Sequence, residues 1–167
     1  RGASLRQRSA AVGADPDQLS ILDNFCWGNT SKPDRLGSLV RAAQACYDIA
    51  IAYGTPFISG KDSLNNEFVT DKETIVIPPT LLISAVSVME DVRDAVSMDA
   101  KEPGNLVYIV GLTRPELGGS HYYHIHGYKG NNVPRVDPVL GKNVMIALSE
   151  ATKRRMVRSC HDCSEGG

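Results

Sequence analysis

The sequence has no excess of either charge and no long apolar run. Its 18 Lys and Arg residues face 19 Asp and Glu residues, which leaves a formal net charge of -1, so there is no basic field to attract nucleic acid. No apolar run approaches the roughly 20 residues of a membrane helix, and the N-terminus lacks the basic start and apolar stretch of an export signal. We therefore expect a cytoplasmic protein with neither a nucleic-acid nor a membrane partner.

Cysteine is scarce. The four cysteines are Cys26, Cys46, Cys160 and Cys163, and the chain is long enough to fold without covalent staples, which favours reduced thiols and no disulfides. Cys160 and Cys163 form a C-x-x-C motif, but no second ligand pair stands at zinc-like spacing and no thioredoxin-like βαβ pattern precedes it. The zinc and redox interpretations are rejected.

The chain also lacks an initiating Met, internal repeats and low-complexity segments. It starts within a predicted helix at residues 3–12 and stops at a glycine pair, which would normally lead into another element. We expect it to be a piece of a longer protein.

Two amphipathic helices and several strands follow from the hydrophobic periodicity. One helix begins near Pro33 with Ser31 as its cap and ends at Gly54, and the other spans residues 139–153. Short apolar runs predict strands at residues 18–25, 56–59, 81–89, 106–110 and 156–159. The strand at 81–89 is expected to be covered on both faces or to lie at a subunit seam. This order predicts an α+β fold, a two-layer α/β sandwich, with a domain boundary near residue 99.

Residues 59–63, Ser-Gly-Lys-Asp-Ser, are predicted to form a loop that concentrates chemistry. Gly60 lets the backbone approach a ligand, Lys61 can neutralise phosphate oxygens, Asp62 can ligate Mg²⁺, and Ser63 can donate to a substrate oxygen. The spacing is not that of a Walker loop. The open alternative is a polar turn with a solvated Lys–Asp pair.

Residues 161–167, His-Asp-Cys-Ser-Glu-Gly-Gly, are a second candidate. Asp162 follows a predicted strand, and the glycine pair could open a helix whose N-terminus favours anions. The alternative is that Asp162 or Ser164 only caps that helix.

Two other features receive structural interpretations. His124 and His126 lie at alternate positions, so they would lie on one face of a strand. We expect that strand to be exposed and the two histidines not to form a metal site. Trp27 could stack on a base, but a lone aromatic residue usually packs.

Four motifs together resemble one family. They are Leu-Asp-Asn-Phe-Cys-Trp-Gly-Asn at 22–29, the segment 57–68 around Gly-Lys-Asp-Ser, Leu-Gly-Gly-Ser at 117–120, and His-Asp-Cys-Ser-Glu-Gly-Gly at 161–167. In this order they resemble the synthetase subunit of phosphoribosylformylglycinamidine synthase. The resemblance covers nearly the whole chain and implies the later part of the second A domain at residues 1–99, followed by the start of the second B domain at 100–167.

The resemblance implies an ATP-dependent carbon–nitrogen ligase of purine biosynthesis. ATP and Mg²⁺ would be its cofactors. Formylglycinamide ribonucleotide, the rest of the synthase chain and a glutaminase subunit or domain that supplies ammonia would be its partners. The family's catalytic histidine belongs to the first half of the synthase, so no catalytic residue is assigned here and the isolated piece is expected to be inactive.

Site residues carry over position by position. Asp23, Gly60 and Ser164 match nucleotide contacts, and Ser63 matches a substrate contact. Asp162 matches a metal-bound aspartate. Lys61 and Asp62 stand where shorter bacterial relatives have Asn and Val, whereas the larger fused form also has Gly-Lys-Asp-Ser. The resemblance therefore leaves metal ligation at this segment open, and it is the chemistry of the side chains that predicts Lys61 at the nucleotide and Asp62 at the metal.

Two alternatives remain open. Other ATP users of the same superfamily, such as aminoimidazole ribonucleotide synthetase, lack Asp-Asn-Phe-Cys-Trp-Gly-Asn beside Gly-Lys-Asp-Ser. A different class is a non-catalytic half of the synthase that holds a nucleotide as a fixed structural ligand.

Overall fold

The computed structural model describes residues 9–164. Helices and sheets are combined in an α+β fold, as the sequence predicts. The chain divides into two compact units, Leu19–Ser87 and a second unit that joins residues 9–18 to 88–164. In the described range, none of the helices combines the length and the apolar character needed to cross a membrane.

The unit Leu19–Ser87 is built on a three-stranded sheet with the order β2-β1-β5, together with a two-stranded hairpin, β3-β4. Its elements are β1 (Leu19–Cys26), α1 (Pro33–Tyr53), β2 (Phe57–Ser63), β3 (Glu67–Val69), β4 (Thr74–Val76) and β5 (Thr80–Ser87). Strand β1 runs parallel to β2 and antiparallel to β5. Because parallel strands need a crossover, α1 connects β1 to β2.

Helix α1 confirms the predicted helix but not its predicted cap. Pro33 stands in the first turn and Gly54 ends the helix at φ 67°, where its N–H reaches the last carbonyls. The N-cap residue is Lys32, which makes no side-chain cap. Ser31 instead donates its backbone N–H to Asn29 Oδ1 at 2.9 Å, so the polar side chain at position 29 organises a turn before the helix.

The central sheet is covered on one face. Leu19, Phe25 and Ile83 are buried, and β5 alternates between covered and exposed side chains. Leu82 and Val86 point to the other face and are exposed. The strand predicted at 81–89 is therefore confirmed, but within this chain it has one covered face rather than two.

The second unit has helix α2 (His121–Ile125) and helix α3 (Pro138–Lys153). Asp137 caps α3 by accepting hydrogen bonds from the backbone N–H groups of Val139 and Leu140, both at 3.0 Å. Met145 on this helix is 1% exposed. The predicted second helix is confirmed.

Two predicted strands are absent from this unit. Residues 106–110 and 156–159 are not in a sheet, and Val107 is 94% exposed. The β-branched and aromatic composition of 106–110 favours a strand, but a strand also requires a partner. Among residues 9–164, all the paired strands belong to Leu19–Ser87.

The N-terminal and histidine predictions have different outcomes. Residues 9–11 are helical, and the rest of the helix predicted at 3–12 lies mostly outside the described residues. His124 lies in α2 and His126 caps it, so the predicted strand is wrong there. The Ser120 hydroxyl accepts a hydrogen bond from Tyr123 N–H at 3.1 Å and starts a helical turn that the alternating pattern did not show.

Candidate functional site

Residues 59–63 form the second half of β2 and not a loop. In a strand, successive side chains point to opposite faces. Lys61 and Ser63 therefore share one face of the sheet, and Gly60 and Asp62 lie on the other. The predicted loop, with all its groups directed at one ligand, is corrected to a strand that divides them.

Asp23 and Gly60 are packed against each other. The β1-β2 register places Asp23 opposite Gly60, and a Cβ added at Gly60 would overlap the Asp23 carboxylate, with Cγ 2.8 Å away. A larger residue at position 60 would require the Asp23 carboxylate to move. Since β2 is an edge strand of the sheet, the bare Gly60 backbone lies where a polar ligand can approach it.

Helix α1 places Cys46 near Asp23. Burial raises the pKa of the Cys46 thiol, and the nearby Asp23 carboxylate raises it further. Asp23 is therefore a half-buried carboxylate near α1, and it can accept hydrogen bonds from a ligand.

The opposite face carries a polar cluster at the ends of β1 and β2. Lys61 Nζ donates to Ser63 Oγ at 2.7 Å. Asn24 and Cys26 stand opposite Lys61 and Ser63 in the register, and the Cys26 thiol lies 3.5 Å from Asn24 Oδ1. The ammonium group and the hydroxyl together can bind an anionic or oxygen-rich ligand.

Trp27 packs in the loop that follows β1. It is 4% exposed, its ring centroid lies 5.6 Å from that of Phe25, and Nε1 donates to Ser38 Oγ on α1 at 2.9 Å. The packing interpretation is confirmed, because a buried indole with a satisfied N–H has no face left for a base.

Asp162 lies in an irregular segment rather than directly after a strand. Its side chain is 7% exposed, and Ser164 Oγ donates to its Oδ1 at 2.9 Å. Ser164 adopts φ 50°, which is unusual for a residue with a side chain. The helix expected from the glycine pair at 166–167 lies outside the described residues.

The chain just before Asp162 is held by a polar clasp of residues 97–101 and 158–160. Cys160 N–H donates to Ser97 O at 3.2 Å, and Lys101 Nζ lies 2.6 Å from Asp99 Oδ1. Hydrogen bonds from Lys101 and Ser97 lower the pKa of Asp99 to about 2. The contacts of this clasp hold the backbone just before residue 162 in position.

In the described range, carboxylates that could ligate a metal ion do not occur in groups of three or more potential ligands. Within residues 9–164, no three His, Cys, Asp or Glu side chains are grouped closely enough to hold a metal ion. Asp62 is exposed at the end of β2. All four cysteines are free thiols. A carboxylate such as Asp162 would therefore share a metal with ligand phosphates, the usual arrangement for Mg²⁺.

The chain is similar to known proteins along its whole length. A family model described as AIR synthase related protein, C-terminal domain, matches residues 102–167. A protein named phosphoribosylformylglycinamidine synthase subunit PurL from Gloeobacter violaceus is 36% identical, covering 100% of this chain and 22% of its own length. Its namesakes from Methanocaldococcus jannaschii and Methanococcus aeolicus are 35% and 33% identical, each over 95% of this chain.

The chain belongs to the phosphoribosylformylglycinamidine synthase family. It spans about a fifth of the length of the curated relatives it matches. Both described units lie within the aligned region, which therefore includes Asp23, Gly60 and Asp162.

Sequence reasoning did not single out Arg35 or Glu67, although Glu67 lies inside a quoted motif. Arg35 Nη1 and Glu67 Oε2 form a close ion pair, with side chains 17% and 9% exposed. The available signal was a carboxylate directly after Asn65 and Asn66. Its partner on α1 could not be identified without the fold.

Proposed function

We propose that this chain contributes to an ATP-dependent carbon–nitrogen ligase. The enzyme would convert formylglycinamide ribonucleotide, ammonia and ATP to formylglycinamidine ribonucleotide, ADP and phosphate. The observation that carries the proposal is the Asp23 carboxylate packed across Gly60 on neighbouring strands, inside motifs that the synthase family shares. Glycine at position 60 leaves room for the Asp23 carboxylate and leaves the backbone accessible to a ligand.

Each face of the sheet takes a separate role in this proposal. Asp23 and Gly60 would hold the nucleotide, and Ser63 would donate to an oxygen of formylglycinamide ribonucleotide. Lys61 shares the face of Ser63, so its ammonium group would neutralise phosphate oxygens beside the substrate contact. Asp62 would be a weaker metal candidate, because it lies on the other face.

The proposed reaction has two steps at one amide group. ATP would phosphorylate the amide oxygen and release ADP, and ammonia would then form a bond to the carbon as phosphate leaves. Lys61 and Ser63 would stabilise the developing negative charge on oxygen. Asp162, in the other unit, would be a ligand for Mg²⁺, an ion that supplies positive charge to bound phosphates, and Ser164 would hold the Asp162 carboxylate in place.

The remaining assignments follow from the family. We propose that residues 1–99 belong to an A-type domain and residues 100–167 to a B-type domain. The rest of the synthase and a glutaminase that supplies ammonia would be partners in the cytoplasm. A nucleotide held here without turnover is the second candidate.

The complete gene product should form the amidine from formylglycinamide ribonucleotide, ATP and either glutamine or ammonia. The 167-residue chain by itself should form none, because the catalytic histidine of the family is outside it. Product is measured by mass spectrometry, with a reaction lacking ATP as the control. No amidine from the complete product, or amidine from the chain alone, would contradict the proposal.

Replacing Asp162 with Asn should weaken binding of the magnesium–nucleotide complex by about tenfold or more, because a ligand should matter at least as much as the outer-shell groups that support it. Asn keeps an oxygen that can accept the Ser164 hydrogen bond, so the loop is preserved while the charge is lost. Calorimetry with the complete product measures the affinity with and without Mg²⁺.

Asp71→Asn is the matched control, since Asp71 is an exposed turn residue. It should leave the magnesium-dependent affinity unchanged. Equal affinities for Asp162→Asn and the parent protein would instead support the capping interpretation of Asp162.

A further inference from the structure

Glu67 fastens the loop after β1 to the start of β3. Its Oε2 accepts the backbone N–H of Asn29 at 3.2 Å and also pairs with the Arg35 guanidinium. The Glu67 side chain is 9% exposed and that of Arg35 is 17% exposed, so water competes little for these bonds. One carboxylate therefore joins the loop, helix α1 and the β3-β4 hairpin.

The same loop is bonded to the end of β2. Trp27 N–H donates to the Ser63 carbonyl at 2.8 Å, and the Trp27 carbonyl accepts from Asn66 N–H at 2.8 Å. Ser63 and Glu67 are thus connected through the loop backbone from Trp27 to Asn29. A displacement of that loop must change the hydrogen bond that Ser63 accepts.

Close packing leaves this loop little freedom. A Cβ at Gly28 would meet Arg35 Nη1 at 3.0 Å and would overlap Val76 on β4. Trp27 is buried against Phe25 and bonded to Ser38. Close-packed interiors have few alternative arrangements. These contacts and the Glu67 bonds therefore hold the loop in one position together.

We propose that Glu67, with Arg35, is a positioning residue that sets the location of Ser63 for substrate binding. The role of Ser63 in this inference rests on the proposed function. The connection between Glu67 and Ser63 rests on hydrogen bonds alone. Asp23 and Gly60 are held by the β1-β2 register instead. Loss of Glu67 should therefore affect the substrate side of the sheet and spare the nucleotide side.

Amide exchange in the 167-residue chain tests the connection. Glu67→Gln removes the charge that pairs with Arg35, and the amides of Trp27 and Asn66 should exchange about tenfold faster or more, since hydrogen bonds to charged groups are the stronger ones. Glu73→Gln is the matched control, because Glu73 lies in the same hairpin region and its N–H bonds to Thr70. Exchange at Trp27 and Asn66 equal to that in Glu73→Gln overturns the proposal.

Steady-state kinetics of the complete gene product test the consequence. Glu67→Gln should raise KM for formylglycinamide ribonucleotide several-fold and leave KM for ATP unchanged, and Arg35→Lys, which keeps the charge, should show a smaller rise. A general loss of folding would change both KM values together, and that outcome overturns the positioning role. If the parent protein forms no amidine, the proposed function fails, while the exchange rates at Trp27 and Asn66 still decide whether Glu67 holds this loop.

Discussion

Replacing Gly60 with Ala is expected to reduce nucleotide binding by at least about tenfold, about 1.4 kcal/mol, and to destabilise the unit Leu19–Ser87. The new Cβ would occupy the space of the Asp23 carboxylate, so Asp23 must turn away or the strands must separate. Overpacking of this kind costs about 1–3 kcal/mol. Calorimetry measures the affinity of the complete gene product, and urea unfolding of the 167-residue chain, followed by the fluorescence of Trp27, its single tryptophan, measures the stability.

Gly37→Ala provides a control with the opposite sign. Gly37 lies in α1, and a Cβ there would meet nothing within 4 Å. Alanine should therefore stabilise the helix by about 0.8–1 kcal/mol and leave nucleotide affinity unchanged. If Gly60→Ala matches Gly37→Ala in both measurements, the close approach of Asp23 to Gly60 has no functional importance.

Replacing Trp27 with Ala is expected to destabilise the protein by about 3–5 kcal/mol. The substitution empties a buried site beside Phe25 and removes the hydrogen bond to Ser38. The loop that joins β1, β2 and the β3-β4 hairpin loses its central side chain at the same time. Urea unfolding followed by circular dichroism measures the change in the free energy of unfolding.

Trp27→Phe separates packing from hydrogen bonding. Phenylalanine keeps an aromatic ring next to Phe25 and loses the bond to Ser38 together with a small part of the buried ring, so the expected cost is about 1–2 kcal/mol. Equal losses for Ala and Phe would mean that the indole N–H, rather than the buried ring, stabilises the loop.

Much of the fold could be predicted from local pattern. Helices α1 and α3 and strands β1 and β5 each have a hydrophobic periodicity that is complete within the element. The segment at 106–110 has the same strand-like composition, yet it lies exposed. The difference is a hydrogen-bonding partner, which composition does not report.

The candidate site divides in the same way. Family motifs identified Asp23, Gly60, Ser63 and Asp162 as residues of interest, and comparison with known proteins confirmed the family but not the role of each residue. The motif 59–63 also suggested one loop acting on one ligand. Pairing of β2 with β1 turns that segment into a strand, which separates Lys61 and Ser63 from Gly60 and Asp62.

By itself, the sequence determined the family and the α+β class and nominated the candidate site residues, because these follow from residue identity and short-range order. Tertiary structure alone decided that Asp23 lies across Gly60 and that Glu67 reaches Arg35 and Asn29. Each of these contacts joins residues from different elements. Only strand pairing and helix packing bring such residues together, and no local sequence pattern encodes the distance between residues of different elements.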